Sequence, residues 1–216
     1  FLALVFRNLM QRVNGHKHHI VILINQFDNL LCGIAIGKTY QSGKLSDTWA
    51  KHYDDIPFAR EYSYLNADLQ KEYYKEGIYV GYKYYETRYQ DQVLGINNAA
   101  GSAGAFMGET WDYADEMAYP FGYGLGYASF TQELKSVVWD QTSHEVTVTV
   151  EVTNNGGYEG KSKDLVQLYV QLPWEEGQVE KSAIQLIGFQ KTGELAAGES
   201  ETVTITVSDY YFASYD

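Results

Sequence analysis

Carboxylates are the most plentiful side chains here that could act as acids or bases. The candidates are Asp54, Asp55, Glu76, Glu86, Asp112, Asp115, Glu116, Glu175 and Glu176. Acid–base cleavage of a glycosidic bond, for example, needs two carboxyl groups roughly 5–5.5 Å apart for retention or 6.5–9.5 Å apart for inversion. A sequence shows no such distance, and most carboxylates of an acidic protein lie on its solvated surface. We therefore assign a catalytic role to none of them.

The histidine, serine and glycine patterns are no stronger evidence of a catalytic or binding site. Of His16, His18 and His19 only the first and last could share a face, and no carboxylate stands beside them, which favours a solvated loop over a metal site. Ser102 lies outside any nucleophile-elbow pattern. The glycines of Gly122–Gly126 lack both the following helix and the Lys-Ser/Thr pair of a phosphate-binding loop. We expect no metal, nucleotide or other cofactor.

Three aromatic residues, Trp111, Tyr113 and Tyr119, stand close to the glycine-rich stretches. Large aromatic rings with a polar tip can stack on a sugar ring, and they also fill contacts between domains. Packing between domains is the more common use. The three residues are therefore candidates for substrate binding, and both interpretations stay open.

The charge balance excludes several classes of partner. The 216 residues contain 16 Lys and Arg against 28 Asp and Glu, a net charge of -12, which repels nucleic-acid phosphates and anionic membranes. No apolar run reaches the roughly 18 residues of a membrane span. Cys32 is the sole cysteine and Phe1–Phe6 lacks the features of a signal peptide, which favours the cytoplasm. Because the chain begins with Phe, we expect a fragment or a processed product.

The first 130 residues carry the pattern of an α/β layer structure. Apolar residues at spacings of three and four predict a helix over Phe1–Gly15, and the aliphatic run Ile20–Ile24 predicts a strand covered on both faces. The segment that follows is too short for a full crossover, so this half is predicted to be incomplete. Aromatic residues predict a further strand over Glu76–Glu86, and Gly95–Gly108 predicts a loop.

The remaining residues predict a small β-sandwich. Valine, leucine and isoleucine alternate with threonine and other polar residues over 146–153, 166–172 and 202–207, the period-two pattern of half-buried strands. Several such strands without helical segments are typical of a sandwich. The predicted fold class is thus α/β plus all-β, with an α/β unit at 1–130 and a β-sandwich at 131–216.

Six segments, in this order, resemble the C-terminal part of family 3 glycoside hydrolases of the β-glucosidase and β-xylosidase type. They are Ser42–Trp49, Tyr74–Thr87, Tyr119–Tyr127, Asp164–Val170, Leu186–Lys191 and Ala197–Val203. The last three resemble the fibronectin type III-like domain of that family. The resemblance spans roughly Ser42–Asp216, and the ordered combination is more specific than any single segment. Gln41 and Ser46 stand where the family often has proline.

The resemblance implies a partial α/β sandwich followed by a fibronectin type III-like β-sandwich, both belonging to a retaining exo-acting β-glycosidase. The family's aspartate nucleophile lies in a barrel domain and its acid–base residue in a Ser-Gly-Glu-Gly type loop. This sequence contains neither, so no catalytic residue is carried over. The implied partners are the barrel of the parent chain and, through the whole enzyme, a β-linked oligosaccharide or aryl glycoside ending in glucose or xylose. We expect this chain to be inactive by itself and poorly soluble.

An alternative from another class is a non-catalytic carbohydrate-binding or interaction module built on the same β-sandwich. Outward-facing threonine and glutamine, with Trp139 and Trp174 far apart in sequence, give this alternative less support.

Overall fold

The computed structural model describes residues 32–53, 56, 70, 71, 74, 77–92, 112–175 and 177–213. Antiparallel strands are the main regular elements of these residues, with few helices. The helix predicted over Phe1–Gly15, the strand predicted over Ile20–Ile24 and the loop predicted over Gly95–Gly108 lie outside the described residues.

The part that precedes the sandwich is built from short elements. After a helical turn at residues 32–35 come strand β1 (Trp49–Ala50), helix α1 (Tyr82–Gln92), helix α2 (Tyr113–Glu116) and strand β2 (Met117–Tyr119). Strands β1 and β2 pair antiparallel, with Trp49 opposite Tyr119. This pairing joins two segments that are far apart in the sequence.

The strand predicted over Glu76–Glu86 is wrong, because α1 begins at Tyr82. Gly81, at a φ of 59°, turns the chain into the helix. The tyrosines that suggested a strand have helical spacing, and Tyr84, Tyr85 and Arg88 are all buried. Burial of this aromatic face outweighs the weak strand preference of tyrosine.

Five strands form the β-sandwich, and their bounds are β3 (Ser129–Asp140), β4 (Glu145–Gly156), β5 (Leu165–Val170), β6 (Gln185–Lys191) and β7 (Ser200–Ser208). One sheet has the order β3-β4-β7 and the other pairs β5 with β6, all antiparallel. A short 3₁₀ helix, Asp209–Phe212, follows β7.

The sandwich core is a block of β-branched side chains. The buried members are Val146, Val148, Val150, Val152, Val166, Val203, Ile205 and Val207. They alternate with exposed or half-buried residues along β4 and β7, so the period-two prediction is confirmed. Burial of a valine or isoleucine side chain contributes about 1.5–3 kcal/mol, which makes this block the main source of stability in the sandwich.

Gly188 in β6 sets how closely the two sheets approach. A Cβ atom at this position would stand 2.9 Å from Ile205 Cγ2 and 3.0 Å from Val207 Cγ1. A larger residue here would therefore displace two buried side chains of β7.

Candidate functional site

Tyr113, one of the three aromatic candidates, is held by a half-buried carboxyl group. Its hydroxyl donates a 2.7 Å hydrogen bond to Glu86 Oε1, and its ring meets the edge of Tyr89 at 5.5 Å. Helix α2 fixes its position, since the Asp112 carboxylate caps that helix by accepting from the Ala114 N–H at 2.8 Å. With its hydroxyl and one ring edge engaged, Tyr113 acts as a packing residue between α1 and α2.

Burial is the main cause of the shifted pKa values of Glu86 and Tyr113. Burial raises the pKa of Glu86 above its ordinary value, and the hydrogen bond from Tyr113 opposes that rise. Burial, together with the bond to Glu86, raises the pKa of Tyr113 strongly. The tyrosine therefore stays a neutral donor at every physiological pH.

Arg88 forms a second polar cluster on the same helix. Its buried guanidinium donates to the Tyr84 hydroxyl at 2.8 Å and pairs with Glu116 Oε2 at 3.4 Å. This cluster ties α1 to the end of α2. No sequence motif points to Arg88, and its four-residue spacing from Tyr84 is the only signal of this contact.

Tyr119 has a more open setting. It is 43% exposed, its ring lies edge-on to Trp49 at 6.3 Å, and Tyr123 packs against it at 4.9 Å. Trp49 lines an open cavity of about 610 Å³ together with Asp47, Lys51 and His52. The third aromatic candidate, Trp111, lies outside the described residues.

The glycine-rich stretch serves close packing between segments. The Gly122 N–H donates to the Leu45 carbonyl and the Leu45 N–H donates to the Tyr123 carbonyl, both at 2.8 Å. A Cβ on Gly124 would collide with the Gly43 carbonyl oxygen. The segments Ser42–Trp49 and Tyr119–Tyr127 are thus direct neighbours.

Helix α1 docks onto the sandwich through two backbone amides. The Ala183 N–H donates to Thr87 Oγ1, and the Leu186 N–H donates to the Tyr82 hydroxyl, each at 2.8 Å. Thr87 and Ala183 are both fully buried. These bonds fix the helix against β6 and the loop before it.

Aromatic rings complete the same contact. Tyr82 packs on Phe121 at 4.5 Å and on Tyr169 of β5 at 6.2 Å. Burial raises the pKa of Tyr169 to about 12. Residues from α1, the glycine-rich stretch and the sandwich therefore share one aromatic cluster.

Polar contacts join the chain before β3 to the other end of the β5–β6 pair. Lys191 Nζ donates to the Ser42 carbonyl at 2.8 Å, and Tyr40 donates to Glu194 Oε1 at 2.9 Å. Lys44 lies 3.7 Å from Asp164. Tyr40, Ser42 and Lys44, which precede β3, therefore contact the sandwich near the start of β5 and the end of β6.

Comparison with known proteins agrees with this architecture. Residues 164–216 match the fibronectin type III-like domain. A β-glucosidase of Ruminococcus albus is 32% identical over 85% of this chain and 16% of its own length, and β-glucosidase A of Butyrivibrio fibrisolvens is 34% identical over 85% and 20%. The chain therefore spans about a fifth or less of these relatives.

Solved structures give the same result. A β-glucosidase from Paenibacillus barengoltzii aligns with a TM-score of 0.67 and 33% identity over 86% of this chain and 17% of its own. A family 3 β-glucosidase of Bifidobacterium adolescentis aligns with a TM-score of 0.62 and 28% identity over 86% and 23%. In sequence and fold, the chain is similar to one part of β-glucosidases, including one of family 3, and its residues 164–216 match the fibronectin type III-like domain.

Among the described residues, no group of three or more His, Cys, Asp or Glu side chains is placed to hold a metal ion. None of the described helices is long and apolar enough to cross a membrane. His16, His18 and His19 lie outside these residues.

Proposed function

We propose that this chain is the C-terminal part of a retaining exo-acting β-glycosidase that removes terminal β-linked glucose or xylose. The observation that carries the proposal is the similarity to β-glucosidases over 85% of the chain. The match of residues 164–216 to the fibronectin type III-like domain supports it. The nucleophile and the acid–base residue would lie in other parts of the parent polypeptide.

The division of the chain belongs to the same proposal. Residues 1–130 would be part of an α/β sandwich, and residues 131–216 would be the fibronectin type III-like module. The start of β3 at Ser129 supports a boundary near this position. In this arrangement, the module braces the α/β part through the Thr87–Ala183 and Tyr82–Leu186 bonds.

Of the two aromatic candidates that the structure describes, Tyr119 is the more exposed, so it is the better choice for a sugar contact. Tyr113 has its hydroxyl bound to Glu86, which leaves it a supporting role. We propose Tyr119, with Trp111, as part of one wall of the substrate pocket in the whole enzyme. The substrate would be a β-linked oligosaccharide or an aryl glycoside.

The test is to sequence the source DNA upstream of the Phe1 codon and to express the complete reading frame. We expect a barrel with an aspartate nucleophile, and hydrolysis of p-nitrophenyl β-glucoside or β-xyloside. Proton NMR should show the β-anomer as the first product, which is the mark of retention. The 216-residue chain alone should show no turnover.

A matched pair of variants tests the pocket wall. Tyr119→Ala in the complete enzyme should raise KM, while Tyr210→Ala, an exposed residue on the 3₁₀ helix, should leave it unchanged. A complete reading frame that hydrolyses neither glycoside, or robust turnover by the 216-residue chain, would overturn the proposal.

A further inference from the structure

Asparagine stands directly before glycine at two places in the sequence, Asn14–Gly15 and Asn155–Gly156, and the second lies in the part of the chain that the structure describes. Asparagine is a thermolabile residue. When glycine follows it, no side chain shields the next backbone nitrogen, which can attack the asparagine amide. Asn155 is exposed near the end of β4. Its position therefore offers a site for spontaneous chemical modification.

Asn155 lies outside the regular pairing of β3 with β4. Ser129 stands opposite Gly156 and Phe130 stands opposite Asn154, so Asn155 is the extra residue of a bulge. Gly156 has a φ of 93°, a conformation that favours glycine. The bulge thus places the Asn155–Gly156 pair at the point where β3 begins to pair with β4.

The attacking group, the backbone nitrogen of Gly156, is held by the preceding asparagine. Its N–H donates to Asn154 Oδ1 at 2.8 Å, and Gly156 is buried. Asn154 is fully buried too, and its side-chain N–H donates to the Leu195 carbonyl at 2.8 Å, which fixes the acceptor in place. The Gly156 nitrogen must lose its proton in order to attack. A hydrogen bond to a fixed acceptor away from solvent therefore opposes the reaction.

The amide that would be attacked is held as well. Asn155 Nδ2 donates to Thr131 Oγ1 on β3 at 2.7 Å. Ring closure draws the Asn155 side chain toward the Gly156 nitrogen and away from β3. Both reacting groups thus have hydrogen-bond partners in the folded state, and the reaction has to remove both partners.

We propose that Asn155 is a deamidation site that reacts when the start of β3 separates from the end of β4. The Gly156 nitrogen loses its proton and bonds to Asn155 Cγ, while the Cγ–Nδ2 bond breaks and the amide nitrogen leaves with that proton as ammonia. Solvent water then opens the succinimide ring at one of its two carbonyl carbons, which gives aspartate or isoaspartate. This inference does not depend on the glycosidase proposal, because it concerns only the chemistry of the sandwich.

The modification weakens the end of β4 permanently. Isoaspartate adds one carbon to the main chain between Asn154 and Gly156, and either product adds a negative charge. The next residue has little room to move, because a Cβ on Gly157 would stand 2.8 Å from the Tyr127 carbonyl oxygen. The modified protein, separated by anion exchange through its added carboxylate, should have a lower Tm than the unmodified protein. An unchanged Tm would contradict this consequence of the proposal.

The first test compares the folded 216-residue chain with the same chain unfolded in urea, both kept in mildly alkaline buffer. Peptide mapping by mass spectrometry follows the conversion of Asn155 over time. Conversion should be at least ~10-fold slower in the folded chain, because it requires a local opening. Equal rates, or no conversion in the unfolded chain, would refute the proposal.

The second test releases the two reacting groups one at a time. Thr131→Val changes an exposed residue and frees the Asn155 amide, whereas Thr206→Val removes a comparable exposed bond, to Thr147, and is the control. Thr131→Val should speed the conversion of Asn155 several-fold relative to Thr206→Val, while the two Tm values stay close.

Asn154→Ala frees the Gly156 N–H and also destabilises the sandwich, since Asn154 is buried. Val148→Ala is its control, because it removes buried methyl groups and leaves both hydrogen bonds in place. Asn154→Ala should speed the conversion of Asn155 about 10-fold more than Val148→Ala does. If either Asn154→Ala or Thr131→Val only matches its control, these bonds do not control the reaction and the proposal fails.

Discussion

Thr87 satisfies a buried amide of the sandwich from a helix 96 residues away, and it does so with a single hydroxyl. Thr87→Val keeps the shape of the side chain and leaves the Ala183 N–H without an acceptor. We expect a loss of about 1–3 kcal/mol in the free energy of unfolding, measured in urea. Thr204→Val, on the exposed face of β7, is the control and should change stability by less than about 0.5 kcal/mol. Equal effects would show that the bond is energetically unimportant.

Glu86 makes the free energy of unfolding depend on pH. Because burial raises its pKa in the folded state, the native protein binds more protons than the unfolded one above about pH 4.5, the ordinary value for a glutamate. The contribution of Glu86 is therefore complete below that pH and is lost as the pH rises through the folded pKa.

Glu86→Gln tests this dependence while keeping an acceptor for Tyr113. The stability of the variant relative to the wild type should rise as the pH increases from 4.5 toward neutrality. Urea unfolding at several pH values measures the difference. A difference that is constant, or that falls with pH, would show that burial does not control this carboxyl group.

At the scale of elements, Gly188→Ala probes the spacing of the two sheets. The new Cβ would press on Ile205 and Val207, and overpacking of this kind costs about 1–3 kcal/mol. Gly43→Ala is the control, since its Cβ would meet no atom within 4 Å. Thermal unfolding of both variants should show a lower Tm for the first alone. Equal Tm values for the two variants would mean that β6 can move away at little cost.

The elements also show where sequence reasoning succeeds. Strands β4 and β7 are predictable because one face is buried and the other is solvated, which imposes a strict alternation of apolar and polar residues. Helix α1 is not predictable in this way, because residues such as Tyr84 and Tyr85 favour strands by local preference, while their burial depends on a partner from elsewhere in the chain. The Glu86–Tyr113 and Thr87–Ala183 bonds cannot be predicted from the sequence either, since no local pattern links residues 27 or 96 positions apart.

At the scale of the whole molecule, the two parts differ in the kind of core that they possess. The sandwich has a continuous cluster of eight buried valine and isoleucine residues, whereas the part around α1 has a cluster of Tyr79, Tyr84, Tyr85 and Met117. Tyrosine buries a polar group together with its ring, and α1 depends on bonds to the sandwich for its position. The sandwich should therefore be the more stable part.

Native-state hydrogen exchange measures this order directly. Amides of Val148, Val150 and Val152 should exchange only by global unfolding, and those of Tyr84–Arg88 by a smaller opening that releases α1. Thr87→Val should speed exchange in α1 and leave β4 unchanged, because the helix can then separate from an intact sandwich. If α1 proved as slow as β4, or if Thr87→Val accelerated both equally, the two parts would form one cooperative unit.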